Sequence, residues 1–171
     1  MGGTIDVKSA KGRGTTFTVR LHLQEVSGQD APAKAENTSK RSLAGKRALV
    51  CEDNALNLEI VRAILNSAGM EVTGAENGQI GLDLFKEKGA GYFDIILLDL
   101  RMPVMDGKTA ARAIRRCGSS DASTIPIFAV SADAYPENVE ECLEAGMNAH
   151  ISKPVNAEEL LNKITQFLDR E

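Results

Sequence analysis

A chain of 171 residues with 43% hydrophobic side chains can bury one sizeable core and a small appendage, but not two full domains. Its net charge of −4 is unevenly spread: residues 1–46 carry 8 basic and 4 acidic side chains, and the rest carries 12 basic and 20 acidic, a net of −8. An acidic body with 4% aromatic residues and no Trp lacks the basic, aromatic-bearing face that nucleic acid requires, which excludes a nucleic-acid partner.

Three stretches of different character follow one another. Over residues 4–23, Ile5 and Val7 alternate with polar residues, Gly12-Arg13-Gly14 marks a turn, and Phe17, Val19, Leu21 and Leu23 hold period two. This predicts a β-hairpin with one apolar face, and two strands alone are marginal in water, so it reads as a fragment of a larger sheet. Residues 25–45 are rich in Ser, Ala, Lys, Glu and Asn with almost no large apolar side chain, the composition of a flexible linker.

From Lys46 to the end, short apolar runs alternate with amphipathic segments. The runs are 48–51, 70–75, 93–98, 125–130 and 149–151, each too short for a helix and most rich in Ile, Leu or Val, as strands buried on both faces should be. Helices are predicted at 54–68, 78–88, 106–117, 135–145 and 156–169, with Gly69, Gly89, Gly118 and Gly146 placed as C-terminal stops. Five βα units in about 125 residues predict a doubly wound α/β domain with a parallel sheet, although periodicity alone leaves the strand order open.

In such a sheet, ligands sit beyond the carboxyl ends of the strands. The first strand finishes in Glu52-Asp53, the third in Asp99 and the fourth in Ser131, and the fifth is followed by Lys153-Pro154. Three carboxylates at one edge repel one another unless a cation neutralises them, and hard oxygen donors suit Mg²⁺. A carboxylate nucleophile, a metal, a lysine and a hydroxyl are the parts of a phosphoryl-transfer site. Asp99, alone on the central strand, is the candidate nucleophile, and Glu52 and Asp53 are candidate metal ligands.

The segments LVCEDNALN (49–57), LLDLRMPVMDG (97–107), AVSADA (129–134) and ISKPV (151–155) together resemble the response-regulator receiver family across 46–171. The resemblance implies a flavodoxin-like five-stranded sheet of order 2-1-3-4-5 with five helices. It implies that Asp99 is phosphorylated, that Glu52, Asp53, Asp99 and the backbone carbonyl of Arg101 hold Mg²⁺ or Mn²⁺, that Ser131 and Lys153 bind the phosphoryl group, and that the Lys153-Pro154 bond is cis. Gly107 fits the close approach that follows the MPVMDG loop. The family's switch residue three before the lysine is Tyr or Phe, and here it is His150. Two readings stand: an imidazole that switches, with pH sensitivity, and a partly exposed histidine without a role. Arg101 and Asp133 resemble the pair that tunes phosphoryl lifetime, either by pairing across the site as a shield against water or as exposed, unpaired side chains.

MGGTIDVKSAKGRGTTFTVRLHL in turn resembles the last two strands of a histidine-kinase ATP-binding domain, so the expected domains are that hairpin at 1–24, the linker at 25–45 and the receiver at 46–171. The boxes that hold Mg-ATP are absent, so this chain is expected to be a phosphoacceptor with self-phosphorylation and autodephosphorylation chemistry and no kinase activity. The order of the three parts is that of a hybrid histidine kinase, with Met1 an internal methionine or an introduced start. The implied partners are a phosphohistidine domain or a histidine-phosphotransfer protein. On the first helix, Leu56, Leu58, Ile60, Val61, Ile64, Leu65 and Ala68 spread over an arc of about 200°, wider than a core stripe, which leaves Leu56 at the edge to meet such a partner. The charge runs Arg112-Arg115-Arg116 and Glu137-Glu140-Glu141-Glu144 read as solvated faces.

Other functions fit less well. A haloacid-dehalogenase-type phosphatase needs a second Asp two residues after its nucleophile, where this chain has Arg101, and no GxGxxG follows the first strand as a dinucleotide site requires. The cysteines Cys51, Cys117 and Cys142 form no metal or disulfide pattern, and no apolar run reaches the roughly 20 residues of a membrane span. A cytoplasmic setting is expected, with the parent chain free to be membrane-bound.

Overall fold

The computed structural model describes residues 3–10, 12, 14–21, 43–132 and 136–169. It divides into two units, 1–40 and 41–171. In the first, β1 (Gly3–Ala10) pairs antiparallel with β2 (Gly14–Leu21), Ile5 opposite Val19 and Val7 opposite Phe17. Period two puts these four on one face, where they are 56–70% exposed. Asp6 and Arg20 form an ion pair at 3.3 Å on the other.

The second unit holds β3 (Arg47–Cys51), β4 (Glu71–Ala75), β5 (Ile95–Asp99), β6 (Ile127–Ser131) and β7 (Ala149–Ser152), parallel and in the order β4-β3-β5-β6-β7. This is the expected 2-1-3-4-5 arrangement. Between and after them run α1 (Ala55–Ser67), α2 (Gly78–Lys88), α3 (Gly107–Arg115), α4 (Pro136–Glu144) and α5 (Ala157–Leu168). Asn54, Asn77, Asp106 and Asn156 each cap a helix by accepting a backbone N–H of its first turn. All four glycines expected as stops have positive φ, between 80° and 86°.

The central strands are apolar along most of their length because both faces are covered, with Arg47 opening β3 and Asp99 and Ser131 closing β5 and β6. Leu49, Cys51, Ile96, Leu98, Ile127 and Ala129 pack with Phe85, Ile114 and Cys142 on the side of α2, α3 and α4. Ala48, Val50, Ile95, Leu97, Phe128 and Val130 pack with Val61, Leu65, Leu160 and Ile164 on the side of α1 and α5. Burying each Leu or Ile here contributes about 1.5–3 kcal/mol. At the edge, β4 is only half covered, which admits Thr73 and Gly74.

Three details depart from the sequence reading. Leu43, read as linker, is 8% exposed and joins the core beside Leu65 and Met70, and Gly45 N donates to Gly69 O at 3.0 Å, so ordered packing reaches three residues further than Lys46. Phe93 and Ile125 precede their strands instead of starting them, although both are buried. Arg115 is not part of a solvated face: Nε donates to Gly146 O, Nη1 to the carbonyls of Ala122 and Ile125, and Nη2 to Asn148 Oδ1, all within 2.9 Å.

Candidate functional site

Parallel strands deliver their last residues to one edge, and the candidate residues converge there. Asp99 closes β5 and Ser131 closes β6; Glu52 and Asp53 follow β3, and Lys153 follows β7. Glu52, Asp99 and Ser131 are 4%, 6% and 5% exposed, whereas Asp53 is open to solvent. One carboxylate oxygen each from Glu52, Asp53 and Asp99 lies within 4.8 Å of the others. The Lys153 Nζ donates to Glu52 Oε2 at 2.7 Å and to Asp99 Oδ2 at 2.6 Å. Burial works against charge on this lysine, but the hydrogen bonds and charges of Asp99 and Glu52 outweigh it and leave its pKa raised.

The backbone aims these groups. The Lys153-Pro154 bond is cis, as the resemblance implied, and Lys153 N donates to Ser131 O at 2.8 Å. Arg101 N donates to Asp99 Oδ1 at 3.0 Å. A Cβ on Gly107 would lie 2.3 Å from the Asp99 carbonyl oxygen, so only glycine fits there.

Several contributors carried no signal in the linear pattern. Asn57 Nδ2 donates to Glu52 Oε1 at 2.9 Å and holds that carboxylate toward the cluster. Gly78 N donates to Met105 O at 3.1 Å, and a side chain on Gly78 would strike that oxygen, so the start of α2 supports the MPVMDG loop. Within the loop, Val104 has φ 67° and is 86% exposed, with Met105 N bonded to Pro103 O at 2.7 Å. A β-branched residue at positive φ is strained, and this γ-turn stands beside the site.

His150 meets the other end of the Ser131 side chain: its Nε2 lies 2.8 Å from Ser131 Oγ. Burial, and next the charge of Lys163, push the imidazole pKa below its ordinary value against the opposing pull of Glu159. Asp133 lies outside the described residues, and so does any pairing of it with Arg101. On α1, Val61 and Leu65 are buried whereas Leu56 and Ile60 are 70% and 45% exposed, so the wide apolar arc does leave an uncovered edge beside Asp53 in sequence.

Chemically, three carboxylates face one ammonium, and the surplus of negative charge on hard oxygen donors fits a divalent cation. The 270 Å³ cavity lies elsewhere, at the amino ends of the strands among Lys46, Asp94, Pro126 and Phe167.

Comparison with known proteins shows the family of the chain. The virulence sensor protein BvgS of Bordetella bronchiseptica is 32% identical over 99% of this chain, and the aerobic respiration control sensor protein ArcB of Escherichia coli is 33% identical over all of it. The chain spans 14% and 21% of their lengths. Among solved structures, the receiver domain of a Pseudomonas aeruginosa sensor histidine kinase with magnesium in its active site cleft superposes with a TM-score of 0.65 at 34% identity, covering 74% of this chain and 99% of that one. The receiver domain of Ssk1 from Saccharomyces cerevisiae, crystallised with the histidine phosphotransfer protein Ypd1, gives 0.64 at 28% identity, covering 72% and 89%. The response regulator receiver domain model matches residues 48–165, from the first strand of the sheet into the last helix, and the chain belongs to that family.

Proposed function

We propose that Asp99 is the phosphoacceptor of a two-component phosphorelay. The observation that carries this reading is the buried Asp99 carboxylate, 2.6 Å from Lys153 Nζ and grouped with Glu52 and Asp53 at the carboxyl edge of the sheet. A carboxylate oxygen of Asp99 attacks the phosphorus of a phosphohistidine, the O–P bond forms as the P–N bond breaks, and the imidazole leaves with the electron pair. Lys153 and the Ser131 hydroxyl take phosphoryl oxygens. Glu52, Asp53, Asp99 and the backbone carbonyl of Arg101 would hold Mg²⁺ or Mn²⁺, which supplies charge neutralisation on the transferring group. Arg101 and Asp133 set how readily water reaches the acyl phosphate, and an Arg101→Ala variant is expected to lose its phosphoryl group faster than the parent.

The donor is a phosphohistidine domain of a kinase or a histidine-phosphotransfer protein, docking a helix against Leu56 and Ile60 on α1. The Ssk1–Ypd1 complex supports a partner of this kind. Matches to sensor proteins that extend over the hairpin and linker as well as the sheet support a hybrid-kinase parent, and the bare apolar face of β1 and β2 fits the terminal hairpin of its ATP-binding domain. Receiving phosphoryl groups from such a kinase places the chain in the cytoplasm.

Incubation with acetyl phosphate and Mg²⁺ followed by intact-mass measurement tests the reading. A phosphoryl adduct is expected on the parent and not on Asp99→Asn. No adduct on the parent would sink the assignment, and an unchanged adduct on the variant would move it to another residue.

A further inference from the structure

Glu52 is 4% exposed, and a carboxylate buried that deeply needs donors within the chain. Each of its oxygens has one: Lys153 Nζ donates to Oε2 at 2.7 Å and Asn57 Nδ2 to Oε1 at 2.9 Å. The two donors are not equivalent. The Lys153 ammonium also bonds Asp99 at 2.6 Å and, in the reading above, takes a phosphoryl oxygen, so its hold on Glu52 is shared with the reacting group. The Asn57 amide bonds Glu52 and, among the described residues, no other side chain.

The direction of the Asn57 bond follows from chemistry. Glu52 faces an ammonium as a carboxylate, and a carboxylate only accepts, so the amide nitrogen is the atom turned toward it. The backbone beneath that amide is braced. Asn54 caps α1 by accepting from Leu56 N at 2.9 Å and Asn57 N at 3.3 Å, and Leu58 N donates to Asn54 O at 3.0 Å. A short side chain projects from this fixed turn to Glu52, whereas Lys153 reaches it on a long, flexible stem.

We propose that Asn57 is a positioning residue of the acidic site: it holds Glu52 independently of Lys153, so that the carboxylate keeps its place in the cluster when the ammonium is drawn to a phosphoryl group. The inference rests on the phosphoacceptor reading. A ligating carboxylate that loses its own hydrogen-bond partner loses about tenfold or more in metal affinity.

The test compares Mn²⁺ binding, read from the electron paramagnetic resonance of the free ion, in the full chain and in Asn57→Ala, Glu52→Ala and the double variant. Asn57→Ala is expected to weaken Mn²⁺ about tenfold, and to add nothing once Glu52→Ala has removed the carboxylate through which it acts. Unchanged affinity in Asn57→Ala would overturn the inference, and so would an equal loss in both backgrounds, the mark of a general effect on α1. A second measurement uses the parent chain alone. The carboxamide protons of Asn57, followed by NMR with Mg²⁺ and beryllofluoride as the phosphoryl mimic, are expected to stay downfield and slow to exchange with water. Their collapse to the position and exchange of a free amide on ligation would overturn the inference and leave the phosphoacceptor reading standing. Failure of the parent to bind Mn²⁺ would overturn both.

Discussion

The two ends of the parallel sheet use the same charged residue types to opposite effect. At the amino ends, charges are matched within the chain: Asp94 accepts from Lys46 Nζ at 2.9 Å and from Arg47 N at 2.7 Å, Asp121 accepts from Gly91 N and Ser119, and Arg115 meets four acceptors. At the carboxyl ends, three carboxylates cluster together and one ammonium, that of Lys153, bonds two of them, Glu52 and Asp99. Ionic groups at the first end are saturated and act as braces; those at the second retain negative charge that a ligand must satisfy. The same side chain is structural or functional according to whether its partners lie inside the chain.

Substitutions can be chosen to break that contrast. Gly107→Ala should have the largest effect, because the new methyl meets a backbone oxygen and not a flexible side chain; a loss of about 3 kcal/mol in urea unfolding, with phosphorylation by acetyl phosphate slowed at least tenfold, is expected. Arg115→Met removes donors from three carbonyls and one amide oxygen, and should cost roughly 2–4 kcal/mol while leaving the phosphorylation rate of the folded fraction unchanged. A loss of phosphorylation in that variant would dissolve the distinction between the two ends. Leu56→Asp should leave stability within about 0.5 kcal/mol and phosphorylation by acetyl phosphate intact, yet slow transfer from a phosphohistidine partner, since the residue is 70% exposed. The smallest effect concerns pH. His150 has a depressed pKa in the folded chain, so the unfolded chain binds more protons as pH falls through the ordinary histidine range; His150 should therefore contribute a stability loss on acidification that His150→Phe lacks, measured by thermal unfolding at a series of pH values.

How much of this was legible beforehand depended on dimension. Strand ends follow from period and length, so Glu52, Asp53, Asp99, Ser131 and Lys153 could be placed at one edge before any coordinates. Glycine stops were equally local. Arg115 could not be separated from Arg112 and Arg116, because its acceptors come from residues 122, 125, 146 and 148, in loops that only the folded chain brings near. Asn57 and Gly78 act through side-chain direction and close approach, which composition does not carry. A single Leu43 in polar surroundings was too little apolar pattern to mark the start of packing. The partner of His150 required the offset between β6 and β7, which periodicity leaves free.

The central claim is that, of three clustered carboxylates, Asp99 alone takes the phosphoryl group. Borohydride converts an acyl phosphate to an alcohol and so marks the modified residue permanently. After phosphorylation with acetyl phosphate and Mg²⁺, reduction and peptide mass mapping should find homoserine at position 99 and unmodified side chains at Glu52 and Asp53. Reduction at either of those two, with Asp99 intact, would contradict the account.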